Sequence, residues 1–437
     1  MNPYIQYMYS YPHKTAYGPL TGIKLKDYAG FLSGEGHGLY LHIPFCQTKC
    51  GYCNLFSVAG QGEAAVDRYL DAVERQSVQY AAVLSAVGAG FSQFVIGGGT
   101  PLALTERQLV RVFEMAEHCF SFSKDRTIAV ETAPNQTTRE KLAILKQAGV
   151  SRISMGIQSF SDRELGVLRR HHTADKAREA LELLKSFAFA CVNVDFIYGI
   201  PGQTKESLLA SLEEAMEFGP EEVFLYPLYV RQGVSLKQEG VVTDWEAAYG
   251  QYRTASAFLQ EKGYRQDSMR RFVKQGGSRD FSECGLGNSL GLGCGGRSYL
   301  GRLHFCTPYA VNAKECLVRL EQYESTEDYT DIAHGILLSQ EELKRRYLIR
   351  HLLIFPGVDA DRYQEQFHGD VLQDFPILQD WLDGGYLQYK KQGERTYLEP
   401  TQLGLGLSDY LGPQLISPMV RQAMEDWEST EPGADRK

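Results

Sequence analysis

Between residues 38 and about 230 the sequence repeats one pattern, in which a short apolar run rich in β-branched and aromatic residues precedes a helical stretch. The pattern occurs six times, with the apolar runs GLYLHIPF (38–45), FSQFVIGGG (91–99), TIAVETA (127–133), SRISMGIQS (151–159), CVNVDFIYGI (191–200) and EEVFLYPLYV (221–230). Alternating strands and helices predict an α/β fold with a parallel sheet covered on both faces. Six units predict a partial (β/α)6 barrel, with functional residues at the carboxyl ends of the strands.

Capping motifs and apolar periodicity place the helices between these strands. The pattern Ser/Thr-x-x-Glu/Gln marks predicted helix starts at Thr105–Gln108, Thr137–Glu140 and Ser161–Glu164. Apolar residues at helical spacing predict the buried faces of two helices, formed by Val66, Tyr69, Leu70 and Val73 and by Leu208, Leu212 and Met216.

Beyond about residue 240 the pattern changes. A helix around WEAAYGQYRTASAFLQEKG is followed by the glycine-rich GLGNSLGLGCGGRSYLG (285–301), a helical segment opening at the capping box Ser339–Glu342, and a hairpin over 386–398 that turns at Gln392-Gly393. Helices followed by a hairpin predict a smaller α+β, winged-helix-like C-terminal domain. We therefore divide the chain into an N-terminal segment (1–37), a barrel core (38–240), a barrel extension (241–337), the winged-helix-like domain (338–427) and a disordered tail (428–437).

Charge and hydropathy narrow the classes of partner. Lys and Arg total 45 against 54 Asp and Glu, a net charge of -9 that makes a nucleic-acid partner improbable and favours a small molecule. The first thirty residues show no basic segment followed by an apolar core, and no uncharged apolar run reaches eighteen residues. We expect a cytoplasmic protein without a membrane partner, in which nine cysteines serve as metal ligands or buried thiols rather than disulfides.

Three cysteines in HIPFCQTKCGYCNLF (42–56) stand close enough in sequence to aim at one centre. Their spacing, Cys46-x3-Cys50-x2-Cys53, suits an iron–sulfur cluster of four irons that leaves one iron without a thiolate. Such an open position is typical of a catalytic metal, where substrate or cofactor enters. The alternative is a zinc knuckle completed by His42.

The residues around these cysteines decide between the two. The run from Tyr40 to Cys46, YLHIPFC, resembles the radical S-adenosylmethionine (SAM) enzymes, and among them the oxygen-independent coproporphyrinogen III oxidases and their relatives. The resemblance continues in order through IGGGTP (96–101), ETAPN (131–135), RISMGIQSF (152–160), LRRHH (168–172) and DFIYGIPGQT (195–204). The chain is identified as a divergent member of this family, with a radical SAM barrel.

The resemblance implies a cofactor site. Cys46, Cys50 and Cys53 would hold a [4Fe-4S] cluster that binds SAM through its open iron. The residues that would contact SAM are Tyr40, Phe45, Gly98, Gly99, Thr100, Glu131, Gln158, Arg170 and Asp195. Glycines after a strand allow close backbone approach to SAM's amino group, and Tyr40 is also the candidate catalytic residue. The polar residues are predicted at or just after strand ends; the alternatives are ion-paired surface residues for these and core positions for Tyr40 and Phe45.

The implied chemistry is reductive cleavage of SAM to a 5'-deoxyadenosyl radical, with an electron donor such as flavodoxin or ferredoxin. Leu55 stands where the coproporphyrinogen oxidases have a further cysteine, and the N-terminal YMYSYPHKTAYG also differs from that enzyme. We therefore predict hydrogen abstraction from an aromatic or tetrapyrrole-like substrate, or from the methyl group of a second SAM in a methyltransferase reaction. Alternatives are coproporphyrinogen III oxidative decarboxylation, a haem-binding chaperone, and a regulator that binds nucleic acid.

The sequence leaves the roles of two further groups of residues open. Cys284, Cys294, Cys306 and Cys316 are evenly spaced and could hold an auxiliary cluster, although buried thiols are the default for them as for Cys119 and Cys191. The N-terminal tyrosines either cover the barrel mouth beside Tyr40 and stack on a flat substrate, or pack a first helix onto the barrel; they are Tyr4, Tyr7, Tyr9, Tyr11 and Tyr17.

Overall fold

The computed structural model describes residues 2–8, 10–231, 233–276 and 286–430. Its centre is a run of six parallel strands that neighbour one another in chain order, as the sequence predicts. They are β1 (Gly34–Ile43), β2 (Ala89–Gly98), β3 (Phe122–Thr132), β4 (Arg152–Gln158), β5 (Cys191–Tyr198) and β6 (Glu222–Pro227). The α/β class and the six-unit barrel are confirmed.

Strands added on both sides keep the barrel partial. Beyond β6 lie two antiparallel strands, Arg271–Lys274 and Tyr264–Gln266. Beyond β1 lie Ser289–Leu292, parallel to it, and then four antiparallel strands, which are Ser298–Leu300, Leu303–Phe305, His334–Leu337 and Gly18–Pro19. The glycine-rich segment predicted from the sequence thus contributes a seventh parallel strand beside β1.

Pairing register divides the side chains into an interior and a helix-covered face, because cross-strand partners point to the same side of a sheet. Tyr40 pairs with Val95, Glu131 with Ser154, and Asp195 with Gly156, all on one face. The opposite face carries buried apolar residues such as Leu41, Ile96, Val130, Ile153 and Val194. The interior face of this barrel is therefore polar, and apolar packing lies under the helices.

The connecting helices follow the predicted signals closely. Those around the barrel are Glu63–Leu84, Glu106–Cys119, Arg139–Gln147, Asp162–Val167, Ala174–Phe187, Lys205–Phe218, Ser235–Gln238 and Trp245–Glu261, with Ala313–Glu324 in the extension. The two predicted apolar faces are buried, although Met216 is only partly so. Thr105 and Gln108 form the complete capping box.

One predicted cap is wrong by a residue. The helix Arg139–Gln147 is capped by Thr138, whose hydroxyl accepts from the Lys141 backbone N–H at 3.3 Å. Thr137 is buried and donates its hydroxyl to the carbonyl of Ala133 at 3.1 Å, so it is engaged with the strand end. Ser161 does cap its helix.

The C-terminal part has a buried core of its own. Its helices are Gln340–Leu352, Ala360–Phe367, Val371–Asp374, Ile377–Asp383, Gln402–Gly406, Ser408–Leu411 and Pro418–Thr430, and its three-stranded sheet has the order Val358–Asp359, Arg395–Pro400, Leu387–Gln392. The hairpin turns one residue later than predicted, at Gly393-Glu394, because Gln392 still pairs with Arg395 and Gly393 supplies the required positive φ of 62°. The last helix also takes in residues 428–430 of the predicted tail; the rest of the tail lies outside the described residues.

The N-terminal segment runs between the barrel and the C-terminal part. Tyr4 packs against Tyr198, Trp245 and two more rings, whereas Tyr11 donates its hydroxyl to Glu342. The described residues ahead of Glu63 contain only 3-10 turns and extended chain, consistent with Pro12 and Pro19 in the early part. Tyr9 lies outside the described residues.

Candidate functional site

The three cysteines lie on a loop held at both ends and in the middle. Cys46 ends the short strand Phe45–Cys46, which pairs in parallel with Val58–Ala59 and so joins the two ends of the loop. In the middle, the N–H of Gly51 donates to the carbonyl of Leu168 at 3.0 Å, and its own carbonyl accepts from the N–H of Leu236 at 3.0 Å. All three thiols are half-buried. The loop is thereby fixed at the carboxyl end of the barrel.

Side chains from two other strand–helix connections reach the thiols. Arg170 donates from Nη1 to the Sγ of Cys50 at 3.2 Å, and Thr100 donates its hydroxyl to the Sγ of Cys46 at 3.7 Å. Burial and the neighbouring thiols raise the pKa of Cys46 to about 11, and the same two causes raise the pKa of Cys53. Metal binding would replace these protons, and the Arg170 guanidinium would offset the thiolate charge. The three thiols of this loop interact electrostatically with one another, and Arg170 acts on two of them, a set that fits an anionic cluster.

His42 does not complete a zinc site. Its Nε2 donates to the carbonyl of Phe56 at 2.9 Å, so its Nδ1 accepts from the Tyr40 hydroxyl at 3.0 Å. Burial lowers the pKa of His42 to about 4, which keeps the ring neutral. Within the described ranges, no three His, Cys, Asp or Glu side chains are arranged to hold a single metal ion; this includes the three loop cysteines, so the observation does not separate zinc from a cluster. Both ring nitrogens of His42 serve packing, and the knuckle alternative is not supported.

The glycines after β2 are required by the protein's own packing. Gly98 has a φ of +119°, and a Cβ there would stand 2.7 Å from the His42 ring. At Gly97 a Cβ would meet the Glu131 carboxyl at 2.9 Å, and at Gly99 it would meet the Cys46 Sγ at 2.9 Å. The glycine run therefore lets β1, β2, β3 and the cysteine loop approach one another, in addition to the ligand approach predicted from the sequence.

Two carboxyl groups face the barrel interior beside this run. The N–H of Gly98 donates to Glu131 Oε2 at 3.0 Å, and Asn193 Nδ2 donates to Asp195 Oδ1 at 2.7 Å. The surrounding protein raises the pKa of Glu131 to about 7 and that of Asp195 to about 6 through desolvation. Glu131 nevertheless remains exposed to the space inside the barrel, so water moderates this shift. These interior carboxyls are suited to accept hydrogen bonds from hydroxyl or ammonium groups.

The position of Asp195 differs from the prediction. It is the fifth residue of the eight-residue strand β5, not at its end. An inward-facing position in mid-strand still reaches the interior because successive side chains alternate between the faces. The sequence therefore predicts correctly that the Asp195 side chain faces the interior, but not where along the strand it lies.

Gln158 and Arg170 meet above Gly156. A bulge at the end of β4 gives Gln158 a φ of +74° and turns its amide back over Gly156, where a Cβ would lie 2.7 Å from Nε2. Arg170 donates from Nη2 to the Gly156 carbonyl, and it enters from the turn after the helix Asp162–Val167. Its buried Nε has no hydrogen-bond acceptor among the described residues. Arg170 thus links the cysteine loop to β4, and its Nε–H is left for a ligand.

Tyr40 and Phe45 differ in their surroundings. Tyr40 is half-buried on the interior face, where its hydroxyl contacts His42. Phe45 is 3% exposed and packs edge-on against Tyr69, with ring centres 5.2 Å apart. The structure thus places Phe45 in the core, while its contact with SAM, like the ligand roles of the other site residues, stays a prediction.

Tyr52 and Asn193 are site residues that the sequence reasoning missed. Tyr52 lies between Cys50 and Cys53, and burial followed by the charge of Cys50 raises its pKa well above the usual value. Asn193 bonds Asp195 and Ser154, and its Oδ1 is buried without a described hydrogen-bond partner. Their positions, within the cysteine motif and two residues before Asp195, are the signals that could have found them.

Cys294, Cys306 and Cys316 are buried. Cys294 contacts the Thr307 hydroxyl at 3.6 Å and the Arg319 carbonyl at 3.5 Å, and Cys316 donates to the Ala310 carbonyl at 3.5 Å. Burial raises the pKa values of Cys294 and Cys306, as it does those of Cys119 and Cys191. These environments favour protonated thiols over an auxiliary cluster; Cys284 lies outside the described residues.

Fold and site together define the class to which this chain belongs. Residues 40–215 match the model of the radical SAM superfamily. The solved coproporphyrinogen III oxidase of Escherichia coli, described as a radical SAM enzyme, superposes with a TM-score of 0.79 over 94% of this chain and 98% of its own, at 22% identity. That likeness confirms the fold over nearly the whole chain.

The curated relatives narrow the class. The heme chaperone HemW of Bacillus subtilis is 31% identical over 359 residues, which cover 80% of this chain and 92% of its own. The HemW of Mycobacterium tuberculosis is 31% identical over 279 residues, 62% of this chain and 71% of its own. The oxygen-independent coproporphyrinogen III oxidase of Escherichia coli is 27% identical over 422 residues, 89% of each chain. The chain belongs to the radical SAM superfamily, in the family of these oxidases and heme chaperones, and this membership implies a [4Fe-4S] cluster and SAM.

The helices were compared with the length and hydropathy that a membrane-spanning helix needs. Among the helices in the described parts of the chain, none is long and apolar enough to cross a bilayer.

Proposed function

We propose that the protein is an enzyme that cleaves SAM reductively and uses the resulting radical on an aromatic or tetrapyrrole-like substrate. The observation that carries the proposal is that three thiols, the glycine run and Arg170 meet at the carboxyl end of the barrel, with two carboxyls facing its interior. A bound cluster supplies the electron that breaks SAM's C–S bond. The protein's share is to position SAM and to exclude water.

Each group has a distinct task in this proposal. Arg170 ties Cys50 to Gly156 and so fixes the cysteine loop relative to β4. Glu131 and Asp195 would accept hydrogen bonds from SAM's ribose or ammonium group, which returns to them the partners that burial removed. His42 holds the Tyr40 hydroxyl on the interior face.

The N-terminal segment contributes an aromatic ring that supports a flat substrate. Tyr7 is half-buried, its ring lies 3.6 Å from the Arg270 guanidinium, and its centre lies 6.3 Å from that of Tyr226 on β6. A cavity of about 50 Å³ beside it is lined by Tyr7, Arg270, Arg350 and Asp409, among others. Arg270 is buried and bonded through both terminal nitrogens to Asp409, so this site supplies ring faces for an aromatic substrate and no free guanidinium from Arg270.

Packing divides the tyrosines between the two roles considered from the sequence. Tyr4, Tyr11 and Tyr17 are at most 7% exposed and belong to the cores or to contacts such as Tyr17 with His334. Tyr7 keeps accessible surface near β6. Of Tyr4, Tyr7, Tyr11 and Tyr17, we therefore propose Tyr7 as the residue that stacks on a substrate.

Leu55 supports a reaction other than coproporphyrinogen decarboxylation. It is 45% exposed on the cysteine loop, at the position where the resemblance implies a further cysteine in the oxidases. Methyl transfer from a second SAM is the form of the reaction that we propose to test first. Coproporphyrinogen III oxidation remains the alternative favoured by the 89% coverage of the Escherichia coli oxidase.

A haem-binding chaperone is the second candidate. It is favoured by the HemW relatives, which at 31% are more similar to this chain than the oxidase at 27%. A chaperone would bind haem and release it unchanged, whereas the proposed enzyme would yield a modified substrate.

One experiment separates these candidates. The anaerobically reconstituted protein is incubated with reductant, SAM and deuterated tetrapyrroles, and products are analysed by mass. Deuterium in 5'-deoxyadenosine supports the proposal, and S-adenosylhomocysteine alongside it indicates methyl transfer. Loss of two carboxyl groups from coproporphyrinogen III over many turnovers would establish the oxidase, and haem binding without any product would establish the chaperone.

A further inference from the structure

The strands added beside β1 carry a row of polar and aromatic side chains on the interior face. Ser289 pairs with Gly38, two residues before Tyr40, and therefore faces the same side of the sheet as Tyr40. The next strands extend the row, because Ser289 pairs with Tyr299, and Tyr299 pairs with His304. The rings of Tyr299 and His304 lie edge to face, with their centres 4.8 Å apart. The row thus runs from the barrel interior into the extension.

Three buried residues in this region have polar side-chain atoms without a hydrogen-bond partner among the described residues. The atoms are the hydroxyl oxygens of Tyr17 and Ser289 and both ring nitrogens of His304. Tyr17 is 7% exposed, Ser289 is 4% exposed and His304 is 1% exposed. A buried polar group without a partner destabilises the folded protein, so such groups are rare away from sites that bind a ligand or water. Three of them, from three segments of the chain, indicate a ligand site.

Arg346 contributes a positive charge to the same place from the C-terminal part. Its guanidinium lies 5.1 Å from the ring centre of Tyr299. Tyr17 interacts electrostatically with both Tyr299 and Arg346, so the N-terminal segment meets the row and the arginine here. We name Tyr17, Ser289, His304 and Arg346 the extension site.

The electrostatic environment of the extension site is positive. Burial, followed by the charges of Arg346 and Arg297, lowers the pKa of His304 well below its usual value. Burial and the neighbouring Arg350 lower the pKa of Arg346 itself to about 10. A negative charge placed among these groups would be stabilised by all of them.

Two acids of the adjoining elements are bonded to other side chains. Glu342, one turn before Arg346 on the helix Gln340–Leu352, accepts from the Tyr11 hydroxyl, and Asp409 accepts from Arg270. Asp409 and Arg350, which lies one turn after Arg346, line the cavity of about 50 Å³ beside Tyr7. The helix therefore connects the extension site to the space that we propose for the substrate.

The chemistry of the side chains defines the ligand. Tyrosine and serine hydroxyls, a histidine N–H and a guanidinium are all hydrogen-bond donors. Several donors around a positive centre suit a group with a negative charge and more than one oxygen, as in a carboxylate or a phosphate.

We infer that the extension site binds an acidic group of the substrate, either a carboxylate or a phosphate. The inference rests on the proposed function, because that function requires a substrate in the barrel interior. The bound group would supply the acceptors that Tyr17, Ser289 and His304 do not find among the described residues.

Binding of simple oxyanions to the reconstituted holoenzyme tests the site. Thermal unfolding is measured in sodium phosphate and in sodium acetate, with sodium chloride at the same ionic strength as the reference. At least one oxyanion should raise the unfolding temperature above the chloride value, and the affinity follows from the concentration dependence of this rise. A larger effect of phosphate indicates a phosphorylated substrate, and a larger effect of acetate indicates a carboxylated one.

Two variants remove one hydroxyl each from the extension site. Ser289→Ala and Tyr17→Phe should weaken oxyanion binding about tenfold or more, because each loses a hydrogen bond to a charged group. In chloride alone they should be at least as stable as the wild type, since each removes a buried hydroxyl without a described partner. Ser123→Ala is the matched control, because the Ser123 hydroxyl is also buried without a described partner but lies on β3. Its oxyanion affinity should stay within about twofold of the wild type.

SAM cleavage driven by dithionite separates this inference from the proposed function. Ser289→Ala should cleave SAM at the wild-type rate, because Ser289 lies outside the cysteine loop and the glycine run. Failure of the wild type to cleave SAM would overturn the proposed function. Equal stabilisation of the wild type by all three salts, or equal oxyanion affinity for the wild type, Ser289→Ala and Tyr17→Phe, would overturn the extension site.

Discussion

The interior face of the barrel holds two kinds of carboxylate, which differ in the partners that the protein supplies. Glu222, at the start of β6, is 1% exposed and bonded by Arg152 and Arg271. Attraction by these guanidiniums outweighs desolvation and holds the pKa of Glu222 below its usual value. Glu131 and Asp195 lie nearer the cysteine loop, and desolvation raises their pKa values to about 7 and about 6.

This contrast distinguishes a carboxylate that stabilises the fold from carboxylates that are available to a ligand, on the same face of one sheet. At Glu222 the protein supplies every charge that the carboxylate needs, so the group stabilises the fold. At Glu131 and Asp195 it supplies backbone and amide donors only, and Arg152 and Arg170 act on Asp195 through space. Carboxyl groups that are desolvated and not directly bonded by a cation are suited to bind a ligand.

The largest effect is expected at the thiols. Changing Cys46, Cys50 or Cys53 to Ala should each remove nearly all bound iron and all SAM cleavage, because the cluster would keep only two ligands. Cys119→Ala, which removes a thiol outside the loop, should retain about four irons per chain. Iron and sulfide analysis of anaerobically purified variants measures this, and iron content that survives Cys50→Ala would contradict the site.

Removing Glu222 should give the next largest effect. Glu222→Ala leaves Arg152 and Arg271 buried without their shared carboxylate, which should cost about 3–5 kcal/mol of unfolding free energy. Glu131→Gln should change the same quantity little while weakening SAM binding. Urea unfolding and equilibrium SAM binding on both variants decide this, and a loss of stability in Glu131→Gln as large as in Glu222→Ala would end the contrast.

Gly98→Val should lower stability by about 1–3 kcal/mol, because its side chain would displace the His42 ring and β-branched residues resist positive φ. Reductive SAM cleavage should be lost with it. Gly166→Ala, where a Cβ would meet open space, is the matched control and should behave as wild type. Equal SAM cleavage by Gly98→Val and the control would show that the glycine run is only a turn.

The smallest effect is a pH dependence with opposite signs at the two kinds of carboxylate. Glu131 has a raised pKa when folded, so its contribution to stability is full below about pH 4.5 and is lost as the pH rises through about 7. Glu222 has a lowered pKa, so its contribution is present above the usual pKa and is lost as the pH falls.

Thermal unfolding of the cluster-free protein checks these signs. Glu131→Gln should be more stable than the wild type at pH 8 by about 2 °C or less, because the exposure of Glu131 to the interior limits the effect. The difference should disappear at pH 5. A larger advantage at pH 5 than at pH 8 would show that the carboxylate is ion-paired.

The sequence predicted the features whose signals are local or periodic. Strand alternation gave the six-unit barrel, and the motif order from Tyr40 to Asp195 located residues that the structure brings to one barrel end. The shifts at Thr138 and Gly393 arise because two neighbouring residues offer the same chemistry locally and tertiary bonds choose between them, as Thr137 shows through Ala133.

Features that depend on distant contacts could not be read from the sequence. The zinc alternative for His42 requires a free ring nitrogen, and in the structure Tyr40 and Phe56 occupy both nitrogens. The N-terminal tyrosines gave no sign that Tyr4 is sealed among Tyr198 and Trp245 while Tyr7 stays accessible. Pairings across some two hundred positions decide the roles of the tyrosines, whereas the partners of His42 lie two and fourteen positions away and are brought to its ring by the fold of the cysteine loop.

The central claim is that the cysteine loop holds a cluster at which SAM is cleaved reductively. The most direct measurement is the yield of 5'-deoxyadenosine from SAM and reductant under anaerobic conditions, with metal analysis of the same sample. The expected result is a brown protein with about four irons and matching sulfide that forms 5'-deoxyadenosine. One tightly bound zinc per chain, no sulfide and no 5'-deoxyadenosine would contradict the claim.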